Sequence, residues 1–393
     1  MVFRLLPLLL VVGSVQAESW ERVAEGNRAF AVSLYREVAG EPGNVFFSPF
    51  SISTALAMTY VGARGETAAQ MQSTLHFPES PEYLPEVWGM WQSRVDQVGR
   101  EGKVTLSVAN SLWPDERYPF LDTYMATVRE RFRSEVFPVN FAETEAARQQ
   151  INTWVEDATE QLIKDLIQPG VLNALTRMVL VNAIYFKGTW QTTFGPEVTR
   201  PQPFHLADGS VIEVPTMYGK VPARYAALDG VQLLDLPYRG DQVSMLVVVP
   251  DTQERMADLE RSLSVAVMDQ WLGAVEPTEV RVFLPKFTMT QHLALSKILQ
   301  ALGMVVPFDD KAANFAGMDG HENYLYISDV VHQAFVAVDE AGTEAAAATA
   351  VIMQARSMPR PSPEFRADRP FLFFIHERAS GSILFAGRVM DPR

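Results

Sequence analysis

The order of the apolar segments constrains the fold of this 393-residue chain more than any other feature. Early in the chain, apolar residues recur at helical spacing, at Phe30, Ala31, Leu34, Tyr35 and Val38, and again at Ile151, Trp154, Val155, Ala158 and Leu162. Later apolar runs are typical of strands, at Met178–Phe186, Val243–Val249, Val280–Leu284, Val330–Val338, Phe371–Ile375 and Ile383–Val389. Helices that precede strands, without a regular alternation of the two, indicate an α+β fold with mostly antiparallel sheets.

Composition favours one large folded domain. Hydrophobic residues make up 48% of the chain and charged residues 20%, which is typical of a globular protein with a sizeable core. No low-complexity run, repeat or Pro/Ser/Gly-rich linker divides the sequence after its first residues. We therefore expect a single domain over residues 18–393.

Residues 1–17 have the pattern of a secretory signal peptide. Arg4 precedes the apolar run Leu5–Val12, and the small residues around Ala17 are typical of a cleavage site. The run is too short to span a bilayer, so we expect a secreted protein that begins near Glu18, extracellular or, in a bacterium, periplasmic. The chain has no cysteine, so the core must supply stability without disulfides.

The formal net charge of −14 disfavours polyanionic partners. An acidic surface repels phosphate, and no helix carries a cluster of Lys and Arg. We expect no nucleic-acid, membrane or heparin-like partner, and look for partners among proteins.

No enzyme motif is evident. The chain lacks a Gly-x-Ser-x-Gly elbow and a phosphate-binding glycine loop, and His376-Glu377 is not followed by the second histidine of a zinc-protease helix. The six histidines are scattered along the chain, at His76, His205, His292, His321, His332 and His376. We expect no catalytic residues, metal site or cofactor, although carboxylates distant in sequence could still form an unrecognised hydrolase site.

One stretch has no ordinary place in a folded domain. Asp339–Ala350 contains mostly small residues, and on propensity alone it could form a short surface helix. The tract that follows, Val351–Pro363, is apolar up to Arg356–Ser357 and ends among three prolines. This continuation favours an exposed, extended loop.

The segment Glu340–Thr349 resembles the hinge of the reactive-centre loop in inhibitory serpins. Other segments resemble serpin segments in serpin order, namely Asn44–Ile52, Val181–Trp190, Leu284–Phe287, Phe371–Ile375 and Leu384–Val389. The resemblance covers nearly the whole mature chain. It implies a serpin fold with three mostly antiparallel β-sheets, about eight or nine helices, and an exposed reactive-centre loop at about residues 340–363.

The resemblance also implies a mechanism. In inhibitory serpins a target serine protease attacks a bond of the exposed loop, and the cut loop inserts into the main sheet while the protease is still bound as an acyl-enzyme. The family therefore implies a protease inhibitor, expected here to be a monomer, and not an enzyme.

The hinge residues suit such an insertion. Side chains alternate between the two faces of a sheet, so Thr343, Ala345, Ala347 and Thr349 would share one face while Glu344, Ala346 and Ala348 share the other. The first face carries no charge, and Glu340 and Gly342 lead into it. No proline interrupts the run and removes a ladder donor.

The family pattern assigns the bait bond to Arg356–Ser357. In inhibitory serpins the residue before the cleaved bond usually lies seventeenth from the hinge glutamate, and a count from Glu340 reaches Arg356. Arginine suits trypsin-like proteases, whose specificity pocket ends in a carboxylate. Arg360 competes poorly because Pro361 follows it, whereas cleavage at Ala355 or Met358 would suit elastase- or chymotrypsin-like targets.

By the same resemblance, Ser48, Ser51, Asn182 and His332 match a hydrogen-bonded cluster beneath the central strands that controls sheet opening. Taken singly, each could be an ordinary polar group at the edge of the core.

A non-inhibitory serpin, acting as a carrier, storage protein or chaperone, is the alternative function. Such members commonly have bulky, charged or proline residues in the hinge. The small residues of this hinge favour inhibition.

Overall fold

The structure is a computed structural model that describes residues 9–40, 42–101, 104–322, 324–343 and 362–393. Within these ranges, no helix has the length and apolar character needed to cross a membrane.

Ten α-helices lie in the described ranges, close to the eight or nine expected. They are α1 (Leu9–Val38), α2 (Pro49–Gly62), α3 (Gly65–Leu75), α4 (Leu84–Glu101), α5 (Asp122–Arg131), α6 (Thr144–Ala158), α7 (Met256–Ser262), α8 (Val265–Ala274), α9 (Ser296–Ala301) and α10 (Ala316–Asp319). Both helices expected from apolar spacing are confirmed, as α1 and α6. The second ends before Leu162 because Glu160 and Gln161 adopt left-handed backbone conformations, which an α-helix cannot continue through.

Helix α1 begins inside the expected secretion signal, residues 1–17, whose role in export stays a prediction. Helix α2 is buried along nearly all of its length, so its side chains are apolar or small on every side. Ser48 caps α2, since its Oγ accepts the backbone N–H of Ser51 at 3.0 Å, and Pro49 occupies the first helical position.

The expected strands are confirmed, most of them with shifted ends; the strand expected from Val280 begins at Glu276, and the one expected from Val330 begins at Val331. The structure contains β1 (Val45–Phe47), β2 (Val104–Pro114), β3 (Glu135–Val136), β4 (Met178–Thr189), β5 (Arg200–His205), β6 (Val211–Leu228), β7 (Val231–Pro237), β8 (Val243–Pro250), β9 (Glu276–Pro285), β10 (Phe287–Ala294), β11 (Val331–Val338), β12 (Gly342–Thr343), β13 (Glu364–Arg366), β14 (Phe371–Glu377) and β15 (Ile383–Val389). The pairs β4–β11, β9–β13 and β2–β3 are parallel, and the other pairs are antiparallel.

These strands form three sheets. One is six-stranded, in the order β10-β11-β12-β4-β2-β3. The other nine strands are joined through the long strand β6, whose first part pairs with β5 and β9 and whose last five residues pair with β7. Strands β5, β6, β9 and β13 therefore make a second sheet, and the end of β6 continues through β7, β8, β14 and β15 to β1 as the third.

The main core lies between the six-stranded sheet and the third sheet. Helix α2 contacts β4 of the former and β15 of the latter. Phe46 stacks on Phe385 and Phe373, with ring centroids 5.3 and 5.8 Å away, so aromatic packing joins β1, β15 and β14.

A smaller core lies on the other face of the six-stranded sheet, where Ile151 and Val155 of α6 pack with Trp113 of β2. Both faces of this sheet are therefore covered.

Candidate functional site

The first residues of the predicted hinge form a short strand inside the six-stranded sheet. Strand β12 pairs with β4 through Gly342–Thr189 and Thr343–Gly188, and Thr343 also pairs with Val338 of β11. Both pairings are antiparallel. The described end of the hinge is thus inserted between two strands that otherwise adjoin each other.

The chain that leads into β12 is fixed by backbone hydrogen bonds. The N–H of Trp190 donates to the carbonyl of Ala341 at 2.9 Å, and the N–H of Phe194 donates to the carbonyl of Glu340 at 2.8 Å. The indole Nε1–H of Trp190 donates to the carbonyl of Asp339 at 3.0 Å. We call residues 339–343, held in this way, the hinge anchor.

Gly342 is the point of closest approach between the hinge anchor and β4. A Cβ on this residue would lie 1.9 Å from the carbonyl oxygen of Gly188. Only glycine allows β12 to lie this close to β4 without displacement of one backbone.

Thr343 is fixed by its side chain as well as by its backbone. Its Oγ1 lies 2.6 Å from the hydroxyl of Tyr238, and the ring of Tyr238 stacks on Trp190 with a centroid distance of 4.5 Å. Burial raises the pKa of Tyr238 well above its ordinary value, so its hydroxyl stays protonated. The contact is therefore a neutral hydrogen bond in an apolar setting.

Glu340 ties the hinge anchor to the second sheet and to the turn before β5. Its carboxylate accepts hydrogen bonds from the Lys286 ammonium and the Thr199 hydroxyl, each at 2.7 Å. Burial alone would raise the pKa of Glu340, but these two donors outweigh it and lower the pKa below its ordinary value. The carboxylate is therefore ionised.

This arrangement differs from the expectation of a loop exposed from about residue 340. Glu340 is 9% exposed and Thr343 is 1% exposed. Small side chains and open ladder positions on β4 and β11 allow the chain to enter the sheet before the loop begins. The remaining hinge residues, Glu344, Ala345, Ala346, Ala347, Ala348 and Thr349, and the predicted bait bond Arg356–Ser357 lie outside the described residues.

The structure brings Ser48 and His332 of the predicted sheet-opening cluster together. The N–H of Ser48 donates to His332 Nε2 at 3.1 Å, and the Ser48 hydroxyl donates to the carbonyl of Leu384 at 2.6 Å. Ser51 joins through its backbone N–H, which donates to the Ser48 Oγ. Asn182 lies in β4 opposite Asn110 of β2, and its side chain lies outside the described part of the structure.

His332 is a neutral acceptor in this cluster. Burial, together with the nearby charge of His292, lowers the pKa of His332 to about 3. Because Nε2 accepts the Ser48 N–H, the ring proton must be on Nδ1. Protonation of Nε2 would break this hydrogen bond.

His332 also marks the place where the sheet opens. Strands β11 and β4 pair over three positions, from Gln333–Ala183 to Phe335–Tyr185. In the described residues before these pairs, β11 and β4 are not paired with each other. His332, which pairs with Leu293 of β10, is the residue next to these pairs that has no partner in β4.

Sequence reasoning missed the partners of the hinge anchor. Trp190 and Lys286 belong to segments with a family resemblance, but no role was predicted for either of them. Tyr238 and Thr199 carried no signal at all, because their contacts depend on how distant strands are arranged. Among the described residues, no three His, Asp or Glu side chains come together as a metal site.

Comparisons with known proteins agree with this architecture. Residues 25–392 match the sequence model of the family described as "Serpin (serine protease inhibitor)". An uncharacterized serpin-like protein from Thermococcus kodakarensis is 40% identical, over 94% of this chain and 86% of its own length. Leukocyte elastase inhibitor A from Mus musculus is 37% identical, over 95% and 100%. The crystal structure of Serpin48 from Tenebrio molitor aligns with a TM-score of 0.83 at 32% identity, over 95% of this chain and 98% of its own.

We expect Tyr238→Phe to loosen the hinge anchor. The substitution keeps the stack on Trp190 but leaves Thr343 Oγ1 buried without its partner, at a cost of about 1–1.5 kcal/mol. Amide hydrogen exchange in residues 339–343, followed by mass spectrometry, should then become about 5–13-fold faster. Tyr60→Phe is the matched control, since Tyr60 is another buried tyrosine whose hydroxyl donates to a backbone carbonyl, that of Glu79. Equal exchange in wild type and Tyr238→Phe would contradict the role of the hydroxyl.

We expect acid to weaken the closed sheet through His332. The pKa of His332 in the fold is about 3 and its ordinary value is 6.5, so the contribution of the neutral ring is complete above pH 6.5 and is lost as the pH falls towards 3. At about 1.4 kcal/mol per pH unit, the loss between pH 7 and 5 is about 2 kcal/mol. The measurement is the urea midpoint of the first unfolding transition, followed by tryptophan fluorescence.

His332→Gln is the variant that tests this effect, because glutamine can still accept the Ser48 N–H but does not titrate. Its midpoint should fall less than that of wild type between pH 7 and 5, a range in which exposed carboxylates stay ionised. Parallel falls in the two proteins would rule His332 out as the origin.

Proposed function

The chain belongs to the serpin family, and we propose that it is an irreversible suicide-substrate inhibitor of trypsin-like serine proteases. In this proposal Arg356–Ser357 is the bait bond. Attack by the serine of the protease breaks the bond between Arg356 and Ser357, leaves Arg356 as an acyl ester on the protease, and releases Ser357 as a new amino terminus. The loop that ends at Arg356 then inserts into the six-stranded sheet and carries the protease with it.

One observation supports the proposal most. Strand β12 already pairs antiparallel with both β4 and β11, so each residue after Thr343 can extend the same strand. Thr343 is buried on the face that the alternation assigns to the uncharged hinge side chains. Ala345, Ala347 and Thr349 would follow it onto that face.

The expected release of free energy is sufficient for a trap. Insertion of about fourteen residues would form on the order of ten ladder hydrogen bonds at about 1 kcal/mol each. This sum is comparable with the whole stability of a domain, about 5–15 kcal/mol. A strand of this length spans about 45 Å, at about 3.3 Å per residue, so a tethered protease would move by a distance close to the size of the domain.

We also propose where this chain acts and with which partner. We take residues 1–17 as a signal peptide and residues 18–393 as one secreted, monomeric serpin domain, extracellular or periplasmic. Its partner is the target protease, and no cofactor, nucleic acid, membrane or heparin-like polyanion is required.

We expect trypsin to form a covalent complex with this protein that survives boiling in detergent. Arg356→Ala should slow formation of the complex by at least about thirtyfold, because truncation of one partner of a buried charge pair costs about 2–5 kcal/mol. Arg360→Ala is the matched control and should leave the rate close to that of wild type. Sequencing of the released C-terminal peptide should give Ser357 as its first residue.

The same assay separates the alternatives. Clean cleavage by trypsin without a complex would favour a non-inhibitory serpin. Complexes with elastase or chymotrypsin in place of trypsin would move the bait bond to Ala355 or Met358. Turnover of a small substrate that persists after the loop is cut would favour a hydrolase.

We expect Thr343→Arg to convert the inhibitor into a substrate. The side chain at this position lies against the Tyr238 hydroxyl in a buried setting, where an unpaired guanidinium is strongly unfavourable. Trypsin should then cleave most of the variant and leave little in the covalent complex, as measured by the moles of protein consumed per mole of trypsin inhibited. Thr343→Ser, which keeps a small hydroxyl side chain, should remain an inhibitor. Full inhibition by Thr343→Arg would show that trapping does not require a small, uncharged side chain at this position of the sheet.

A further inference from the structure

A cavity of about 680 Å³ lies where β4 and β11 separate. Its volume is within the range of about 300–1,000 Å³ that is typical of small-molecule sites. Helix α2, the start of β4, the chain leading into β11 and the segment before β4 enclose it. Most of its inner wall is apolar and includes Ile52, Leu56, Leu180, Phe315 and Met318, and the buried Thr59 and His332 line it as well.

The cavity is a consequence of the incomplete sheet. Strand β4 pairs with β2 from Met178 to Gly188, but it pairs with β11 only from Ala183 to Tyr185. The first residues of β4 therefore face the gap instead of a neighbouring strand. The space extends behind the sheet as far as α2 and α10, so it is deeper than a slot for one strand.

The rim of the cavity exposes large apolar side chains. Leu175 is 76% exposed, Tyr324 is 71% exposed and Tyr326 is 49% exposed. Exposed side chains of this size that adjoin an apolar cavity are typical of a binding site, whereas single exposed residues are not informative.

Two guanidinium groups lie on the β2 and β4 side of the cavity, around one buried carboxylate. Arg117 binds Asp115 through Nε and Nη2, each at 2.9 Å, and Arg177 approaches the same carboxylate at 3.4 Å. Burial alone would raise the pKa of Asp115, but the arginines outweigh it and lower the pKa, so the carboxylate is ionised. The Glu116 carboxylate also acts on Arg117, so the positive charge that remains available to a ligand is that of the exposed Arg117 guanidinium.

The positive charge is accessible to a ligand. The side chain of Arg117 is 47% exposed, and its Nη1 has no hydrogen-bond partner among the described residues. The cation of Arg177 lies 5.7 Å from the ring centroid of Tyr118, which keeps it beside the cavity. On the β11 side the exposed acid is Asp329, which accepts the Ser296 hydroxyl, so a negative head group would be directed towards Arg117.

We propose that this cavity binds an anionic amphiphile of the fatty-acid class. Its carboxylate would pair with Arg117, and its acyl chain would occupy the apolar interior between α2 and the separated strands. An extended peptide is the competing occupant, since β4 presents an unpaired edge to the gap, but a strand would use neither the depth of the cavity nor its positive charge.

The site has a consequence for inhibition, which rests on the proposed function. An inserted loop must pass between β4 and β11 and would occupy the same gap. A bound amphiphile would therefore slow insertion, and a larger fraction of the protein would be cleaved by trypsin without forming the covalent complex.

Titration of the intact protein with decanoate, by isothermal calorimetry and below the concentration at which micelles form, tests the binding site without any protease. We expect one decanoate per chain and at least about tenfold weaker binding of uncharged 1-decanol. Arg117→Gln should weaken decanoate binding about tenfold, which corresponds to about 1.4 kcal/mol, and leave 1-decanol binding unchanged. Arg261→Gln, which removes an exposed arginine of α7, is the matched control.

Three results would overturn the inference: no saturable decanoate binding to the wild type, equal affinity for decanoate and 1-decanol, or saturable binding of an extended apolar peptide where decanoate does not bind. The comparison of the two ligands uses the wild-type protein, so it holds even if Arg117→Gln fails to fold. Because the titration contains no protease, its outcome is independent of whether the chain inhibits trypsin. With trypsin present, decanoate should raise the fraction of cleaved, uncomplexed protein in wild type and less in Arg117→Gln.

Discussion

The limited pairing between β4 and β11 is the constraint on which the rest of the structure depends. Only three residue pairs join these central strands, from Gln333–Ala183 to Phe335–Tyr185. On one side of these pairs β12 separates the strands, and on the other side the cavity does. A new strand could therefore gain ladder bonds on both edges. If the loop inserts as proposed, a fold with this much unrealised pairing would be maintained kinetically, by the barrier to opening its centre.

Opening the centre of the six-stranded sheet breaks few contacts, because the rest of the molecule is well paired. Strands β7, β8, β14, β15 and β1 form an unbroken ladder, and the stack of Phe46 with Phe385 and Phe373 joins its edge to the core. Opening of the six-stranded sheet leaves these contacts intact. The contacts that must yield are the three central pairs and, next to them, the hydrogen bond between Ser48 and His332. The three central pairs and this hydrogen bond lie between the hinge anchor and the cavity.

Local sequence patterns predicted the helices and strands well. The features that these patterns missed depend on contacts between residues that are distant in sequence. Ile383–Val389 has the predicted bounds as β15, because a strand buried on both faces has a nearly continuous apolar sequence, interrupted here by Arg388. The burial of Thr343 before any cleavage could not be predicted, since β12 has only two residues and depends on Tyr238 and Gly188, which are more than 100 residues away in sequence. Family resemblance supplied Ser48 and His332, whose hydrogen bond no local pattern encodes.

The cavity and the hinge anchor lie on opposite sides of the three β4–β11 pairs. A loop that inserts from the hinge anchor as proposed would reach the cavity, so its insertion and the binding of a ligand there would be thermodynamically linked. A ligand that binds only the unfilled gap stabilises the closed form by about 2.7 kcal/mol at a hundred times its dissociation constant. Insertion of the loop would release on the order of 10 kcal/mol, so such a ligand cannot reverse the final equilibrium. The ligand would instead change the rate of loop insertion. Trapping depends on insertion being faster than hydrolysis of the acyl-enzyme, and each 1.4 kcal/mol added to the insertion barrier slows it tenfold. A ligand far from the bait bond could thus change the outcome from inhibition to cleavage without touching the protease.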